Sequence, residues 1–60
     1  MNDTDIRQSD IDSAAAVLTG SVNHFPQQWR EFSARTHGRT SDVYARCAEL
    51  AEARQELAAL

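Results

Sequence analysis

The side chains in this 60-residue chain that could do chemistry are one thiol, two imidazoles, two sets of carboxylates and a group of arginines beside aromatics. Cys47, His24 and His37 are the soft metal ligands, and they stand 13 and 10 residues apart along the chain. A structural zinc site takes four ligands at short repeated spacings. These three match no such pattern, and adding Asp42 as a fourth would be arbitrary. Read instead as a Cys–His nucleophile pair, they would need a pocket that excludes water, and so short a chain has little interior to build one. Each histidine therefore reads as a helix-capping or solvent-exposed residue. No metal and no cofactor is expected.

The carboxylates Asp10 and Asp12 lie close in sequence, as do Glu49, Glu52 and Glu56. On a helix the three glutamates share a face and form a solvated acidic strip. General acid–base work needs a carboxyl whose surroundings shift its pKa, and nothing nearby in the sequence would bury one. With Gly20 and Gly38 as the only glycines there is no phosphate-cradling loop. The chain is not expected to be an enzyme.

Arg30, Arg35 and Arg39 sit near His37, Trp29 and Phe32, a composition that can bind nucleic acid. The segment from Pro26 through the HGRT turn into SDVYARCAEL has the outline of a helix-turn-helix, whose second helix enters the major groove by its N-terminal residues. Those residues here are Ser41, Asp42, Val43 and Tyr44, and an aspartate at that point repels phosphate. Net charge is −3, whereas a DNA-binding domain is usually basic. A small DNA-binding regulator or antitoxin using the basic 30–39 region is the alternative reading, and nucleic acid is the weaker partner.

The elements that would position these groups follow from punctuation and period. Residues 1–8 are polar and lack a hydrophobic period, so they read as a flexible acidic N-terminus ahead of one helical domain at 9–60. Ser9 or Asp10 can cap a first helix with Asp12 in its first turn, and that helix ends between Thr19 and Asn23, with Gly20 or Asn23 as its C-terminal stop. Pro26 has no N–H for the carbonyl of Val22 and drives Phe25 out of the α region, yet it suits the first position of a new helix. In HGRTSD, Gly38 can close the second helix with positive φ, and Thr40 or Ser41 can cap a third. Glu31–Arg35 and Asp42–Arg46 are spaced as i,i+4 ion pairs. No strand pattern of period two occurs. The predicted fold is all-α, a small bundle of two or three helices at about 10–22, 26–36 and 41–59, completed by dimerisation with antiparallel packing.

Two hydrophobic stripes carry that expectation. Ile11, Ala15, Leu18, Val22, Phe25, Trp29 and Phe32 follow a 4-3 spacing, the interval of a coiled-coil seam. The stripe runs across Pro26, either as one helix kinked there or as two helices meeting at a corner that folds the aromatic part over the aliphatic part. A second stripe, Val43, Cys47, Leu50, Arg54 and Leu57, is interrupted by an arginine whose stem can cover apolar surface while its head reaches water or a carboxylate. Beside it Ala48, Ala51 and Ala58 would let another helix approach closely.

Size decides what these stripes imply. A 60-residue domain buries only about 60% of the surface its unfolded chain exposes, and such scaffolds usually add disulfides, a metal or a second subunit. Cys47 is the only cysteine, so no intrachain disulfide can form, and a lone thiol suits a reducing compartment. Ten of the 25 hydrophobic residues are alanine, which further limits the core. No apolar run is long enough to cross a membrane, and the polar start MNDTDIRQSD is unlike a secretory signal, so a cytoplasmic protein is expected.

The expected function is a non-catalytic protein–protein interaction module, a small regulator, adaptor or inhibitor that covers a partner surface with a helix face. Trp29, Arg30, Phe32 and Arg35 are the expected partner-binding residues. Leu18, Val22, Phe25, Val43, Cys47, Leu50 and Leu57 are the expected self-association residues of a homodimer. A bridging piece of a larger assembly is a third possibility.

Overall fold

The computed structural model describes the backbone of residues 3–60 and the side chains of residues 8–60. Three helices make up the chain, α1 (Asp3–Ser21), α2 (Pro26–Arg35) and α3 (Gly38–Ala59), and no strand occurs among the described residues. The all-α expectation holds. No helix among them is long and apolar enough to cross a membrane.

α1 starts well before the expected residue 10. The sequence from Asp3 to Ser9 contains neither glycine nor proline, so nothing stops the helix there, and Gln8 Nε2 donates to Asp12 Oδ1 at 3.0 Å along the same turn. Ser9 and Asp10 are therefore helix-interior residues rather than caps, and Asp12 lies far from the first turn. Of the stretch expected to be flexible, residues 3–8 have helical backbone, and residues 1 and 2 lie outside the described residues. Gly20 is also inside α1 and does not end it. α1 stops after Ser21, with the Val22 N–H still donating to Leu18 O at 2.8 Å. A Cβ at Gly20 would meet no atom within 4 Å. Gly20→Ala should therefore stabilise the chain by about 0.5–1 kcal/mol through helix propensity alone, read as a higher midpoint in thermal denaturation.

Pro26 opens α2 as the sequence predicts. Phe25 is extended (φ −73°, ψ 155°), which is the conformation a residue before proline prefers, and the Gln28 carboxamide accepts the Phe25 N–H at 2.8 Å. The chain thus turns a corner at Val22–Phe25 rather than continuing as one kinked helix. The corner brings the aromatic part into one core with the aliphatic part, by way of α3. The backbones of both helices lie close to α3 rather than to each other, and Ile11, Ala15 and Trp29 meet in one core with α3 side chains.

The second turn is tighter. Thr36 closes α2 through its N–H to Ser33 O and its Oγ1 to Phe32 O. His37 is extended and Gly38 takes φ +66° before α3 begins. The positive φ expected at Gly38 is present, though it launches α3 rather than closing α2, and α3 starts three residues earlier than predicted. Gly38→Ala has room for its methyl, yet the left-handed backbone should cost about 1–2 kcal/mol. Opposite signs at the two glycines in the same melting experiment separate backbone conformation from sterics. Ser41 does not cap α3. Its Oγ donates to Ser33 O at 2.9 Å while Ser33 Oγ donates to Ser41 O at 2.9 Å, a reciprocal clasp across the turn.

Contacts fix the directions. α1 runs parallel to α3, from Asp10–Arg39 at one end through Ala15–Cys47 to Thr19–Arg54 at the other. α2 runs antiparallel to α3, from Arg30–Glu52 back to Ser33–Ser41. The shared core is Ile11, Ala15, Trp29, Val43, Cys47, Ala48 and Ala51, with Leu18, Phe32, Tyr44 and Leu50 packed against it. Ala48 and Ala51 let helix backbones approach α3 closely, as their small size requires. Trp29 is the one large aromatic wholly inside, 3% exposed.

Candidate functional site

The chemistry-bearing residues come first, because their surroundings decide what they can do. Cys47 has no exposed surface and lies against α1, its Sγ 3.8 Å from Ala15 O. Burial raises its pKa, since a thiolate loses hydration there without gaining a partner. The thiol form is thus favoured at neutral pH, and neither a nucleophile nor an intermolecular disulfide can be reached without opening the fold. In the native protein Cys47 should react with dithiobis-nitrobenzoate at least about a hundredfold more slowly than in denaturant, because reaction waits for opening. The same shift sets a pH dependence. Folded pKa above unfolded pKa means the stabilisation is full below about 8.5, the ordinary thiol value, and declines as pH rises through the folded pKa.

His24 does not cap a helix. It sits at the corner with its ring edge-on to Trp29 (5.0 Å between centroids) and Phe32 (5.3 Å). Tyr44 of α3 completes the cluster, stacked on Trp29 at 6.0 Å and tilted against Phe32 at 5.6 Å. His37 is exposed in the second turn. Among the described residues no three or more His, Cys, Asp or Glu gather closely enough to hold a metal ion.

The arginines are mostly committed to the chain itself. Arg30 pairs with Glu52 across α2 and α3. Arg39 lies 3.6 Å from Asp10, and Arg46 Nε lies 3.1 Å from Asp12. Arg46 also donates to Glu49 at 2.6 Å, and this hydrogen bond is the main reason its pKa is raised. The i,i+4 pairs expected from spacing, Glu31–Arg35 and Asp42–Arg46, do not form. Arg46 prefers Asp12 on the parallel helix and Glu49 one turn on. Arg35 makes no ion pair among the described residues and is exposed. Val43 and Tyr44, which a groove-reading helix would turn outward, face the core instead.

Arg54 has a role the sequence reading missed. Its Nη1 donates to Thr19 O at 2.7 Å, one of the carbonyls left free at the end of α1. α1 has no basic residue in its own last turn, and α3 supplies the cation that the helix dipole favours there. No signal in the sequence pairs positions 19 and 54. Only the parallel docking of α1 on α3 brings them together.

The expected contact residues separate into two groups. Trp29 is core and Phe32 is half-buried in the aromatic cluster, so the expected partner-binding set keeps only Arg30 and Arg35 at the surface, with Arg30 held by Glu52. Of the expected self-association set, Val43 and Cys47 are buried, and Leu18 and Leu50 pack against the core. Val22, Phe25 and Leu57 remain exposed. Phe25 is 68% exposed and Leu57 70%, and the terminal Leu60 is fully exposed.

Of these exposed apolar side chains, Val22 and Phe25 share one surface at the corner. A groove of about 200 Å³ lies there between the corner and the last turns of α3, lined by Val22, Phe25, Pro26, Trp29, Ala51 and Ala58 among others. Thr19, Asn23, His24, Arg54 and Gln55 supply its polar atoms, and no carboxylate lines it. Such an arrangement offers an apolar seat edged by a few hydrogen-bonding groups. Comparison with known proteins adds no relative: no family model matches the sequence, and no curated protein or solved structure matches it.

Proposed function

We propose that this chain is a non-catalytic protein-interaction module that docks on another polypeptide through the apolar corner formed by Val22, Phe25, Pro26 and Ala58. The supporting observation is the placement of Phe25. A phenylalanine two-thirds exposed beside a carboxylate-free apolar groove contributes little to its own fold and is the kind of aromatic anchor that dominates binding interfaces. The mechanism is occlusion, in which the end of a helical bundle covers an apolar surface of the partner and withholds it from other contacts.

The surface differs from the one the sequence suggests. Trp29 supports the site from beneath as a wall of the groove, while the contact itself passes to Phe25. Tagged protein incubated with its native lysate should retain at least one polypeptide that Phe25→Ser and Val22→Ser lose and Arg35→Ala keeps. Equal retention by all three variants, or none by the wild type, overturns the reading.

A further inference from the structure

We infer that the corner groove takes a segment of the partner polypeptide that presents one carboxylate beside a large apolar side chain, the apolar group resting against Trp29, Ala51 and Ala58 and the carboxylate meeting Arg54. The inference rests on the corner being a docking surface, as proposed above.

Size selects the kind of occupant. The groove holds about 200 Å³, less than the roughly 300–1,000 Å³ of a small-molecule site. It therefore suits a side chain carried on a larger partner. Its apolar lining, Val22, Phe25, Pro26, Trp29, Ala51 and Ala58, calls for an aliphatic or aromatic group.

Charge selects what stands next to that group. Arg54 is the one arginine in the lining, and no carboxylate accompanies it there. It makes no ion pair among the described residues, unlike Arg30, Arg39 and Arg46. Three and four residues away along α3 stand Leu50, Ala51, Leu57 and Ala58, so its own helix offers no carboxylate on the same face. The hydrogen bond to Thr19 O at 2.7 Å uses one of five guanidinium donors. It holds the group in place without neutralising it. The C-terminal end of α1 and the N-terminal end of α2 meet at this corner, and their opposite dipole ends offset one another. The adjoining groove shares Phe25, Pro26 and Gln55, but its Glu52 is already paired with Arg30. What remains is one fixed cation beside an apolar seat, and its complement is one anion beside an apolar group. A guanidinium matches a carboxylate as a planar, two-pronged partner. A run of acids is a poorer match, because the chain carries net charge −3 and repels it.

Selection from a displayed library of random peptides, with the full chain as bait, tests this. Selected peptides should pair one aspartate or glutamate with a large apolar residue within about one helical turn. Trp29 is the only tryptophan and a wall of the groove, so its fluorescence follows the binding of peptides that lack tryptophan. Phe25→Ser should weaken them about tenfold or more, as loss of an aromatic contact does. Arg54→Gln should weaken them about fivefold, the upper end for an exposed ion pair. Changing the peptide's acid to its amide should weaken binding to the wild type by the same factor and leave binding to Arg54→Gln unchanged. That peptide change cannot unfold the chain, so the comparison holds even where Arg54→Gln loosens the end of α1. Arg54→Lys, which keeps the charge, should keep the preference for acid over amide. Phe25-dependent peptides without a carboxylate, or acidic peptides that bind as tightly after conversion to amides, overturn the inference and leave the docking surface standing. A two-chain mass in light scattering that Phe25→Ser abolishes makes a second copy the occupant and overturns it likewise. Selection of no peptide whose binding depends on Phe25 removes both.

Discussion

Trp29→Ala should leave the chain largely unfolded at room temperature. Trp29 is 3% exposed and forms the centre of the His24–Phe32–Tyr44 cluster, and deleting a buried tryptophan typically costs about 3–5 kcal/mol. A chain this short has roughly 3–9 kcal/mol of stability in total at 0.05–0.15 kcal/mol per residue. The loss is therefore of the same size as the whole. Its neighbours have little to refill the space with, because the buried core around it is built largely of small side chains, Ala15, Cys47, Ala48 and Ala51. Far-ultraviolet circular dichroism should show most of the helix gone. Trp29→Phe, which keeps an aromatic ring at the site, should stay folded with a lower melting temperature. A folded, cooperatively melting Trp29→Ala would mean that Trp29 is not the keystone of the core.

The second large effect comes from adding atoms. Ala15 has no exposed surface and sits where α1 lies against Cys47 of α3. Ala15→Leu puts three further carbons into that contact, and overpacking of this kind costs about 1–3 kcal/mol. Here the cost falls on one seam. Pushing α1 away from α3 also lengthens the Arg54–Thr19 hydrogen bond and separates Arg46 from Asp12 and Arg39 from Asp10. The expected result is a lower urea midpoint together with faster thiol reaction at Cys47, since the same displacement uncovers it. Ala16→Leu, one residue on and exposed, serves as the control and should be near neutral. Equal stability of the two variants would show that α1 does not approach α3 closely at this point.

The all-α class, the existence of three helices and the break before Pro26 were legible because they depend on local chemistry. Proline removes a donor and restricts Phe25, glycine permits φ +66° at residue 38, and 4-3 spacing marks helical faces wherever they lie. Boundaries were less legible. Ser9, Asp10 and Ser41 favour caps in isolation, yet Ser9 and Asp10 lie inside α1, and Ser41 spends its hydroxyl on Ser33 across the turn. Charge pairing was misread for a related reason. Arg46 was assigned to Asp42 by spacing along one helix, while a carboxylate on the parallel helix, Asp12, stands nearer its guanidinium.

Which apolar residues reach the surface depended on the tertiary structure most of all. In sequence, Val22, Phe25, Trp29 and Phe32 are consecutive members of one stripe. In space the stripe is cut at the corner. Ile11, Ala15 and Leu18 serve the α1 contact, Trp29 and Phe32 serve the α2 contact, and Val22 and Phe25 at the bend serve neither.

From the residues alone came two or three helices, their amphipathic faces, a lone thiol and a chain with few large apolar residues. Which of those residues are buried inside the chain and which stay exposed was settled only when α1 and α2 both took α3 as their support. Side-chain period is a property of one helix, whereas burial depends on what lies opposite. At the Val22–Phe25 bend the last turns of α3 face the corner across an open groove, so apolar groups that read as core come to the surface.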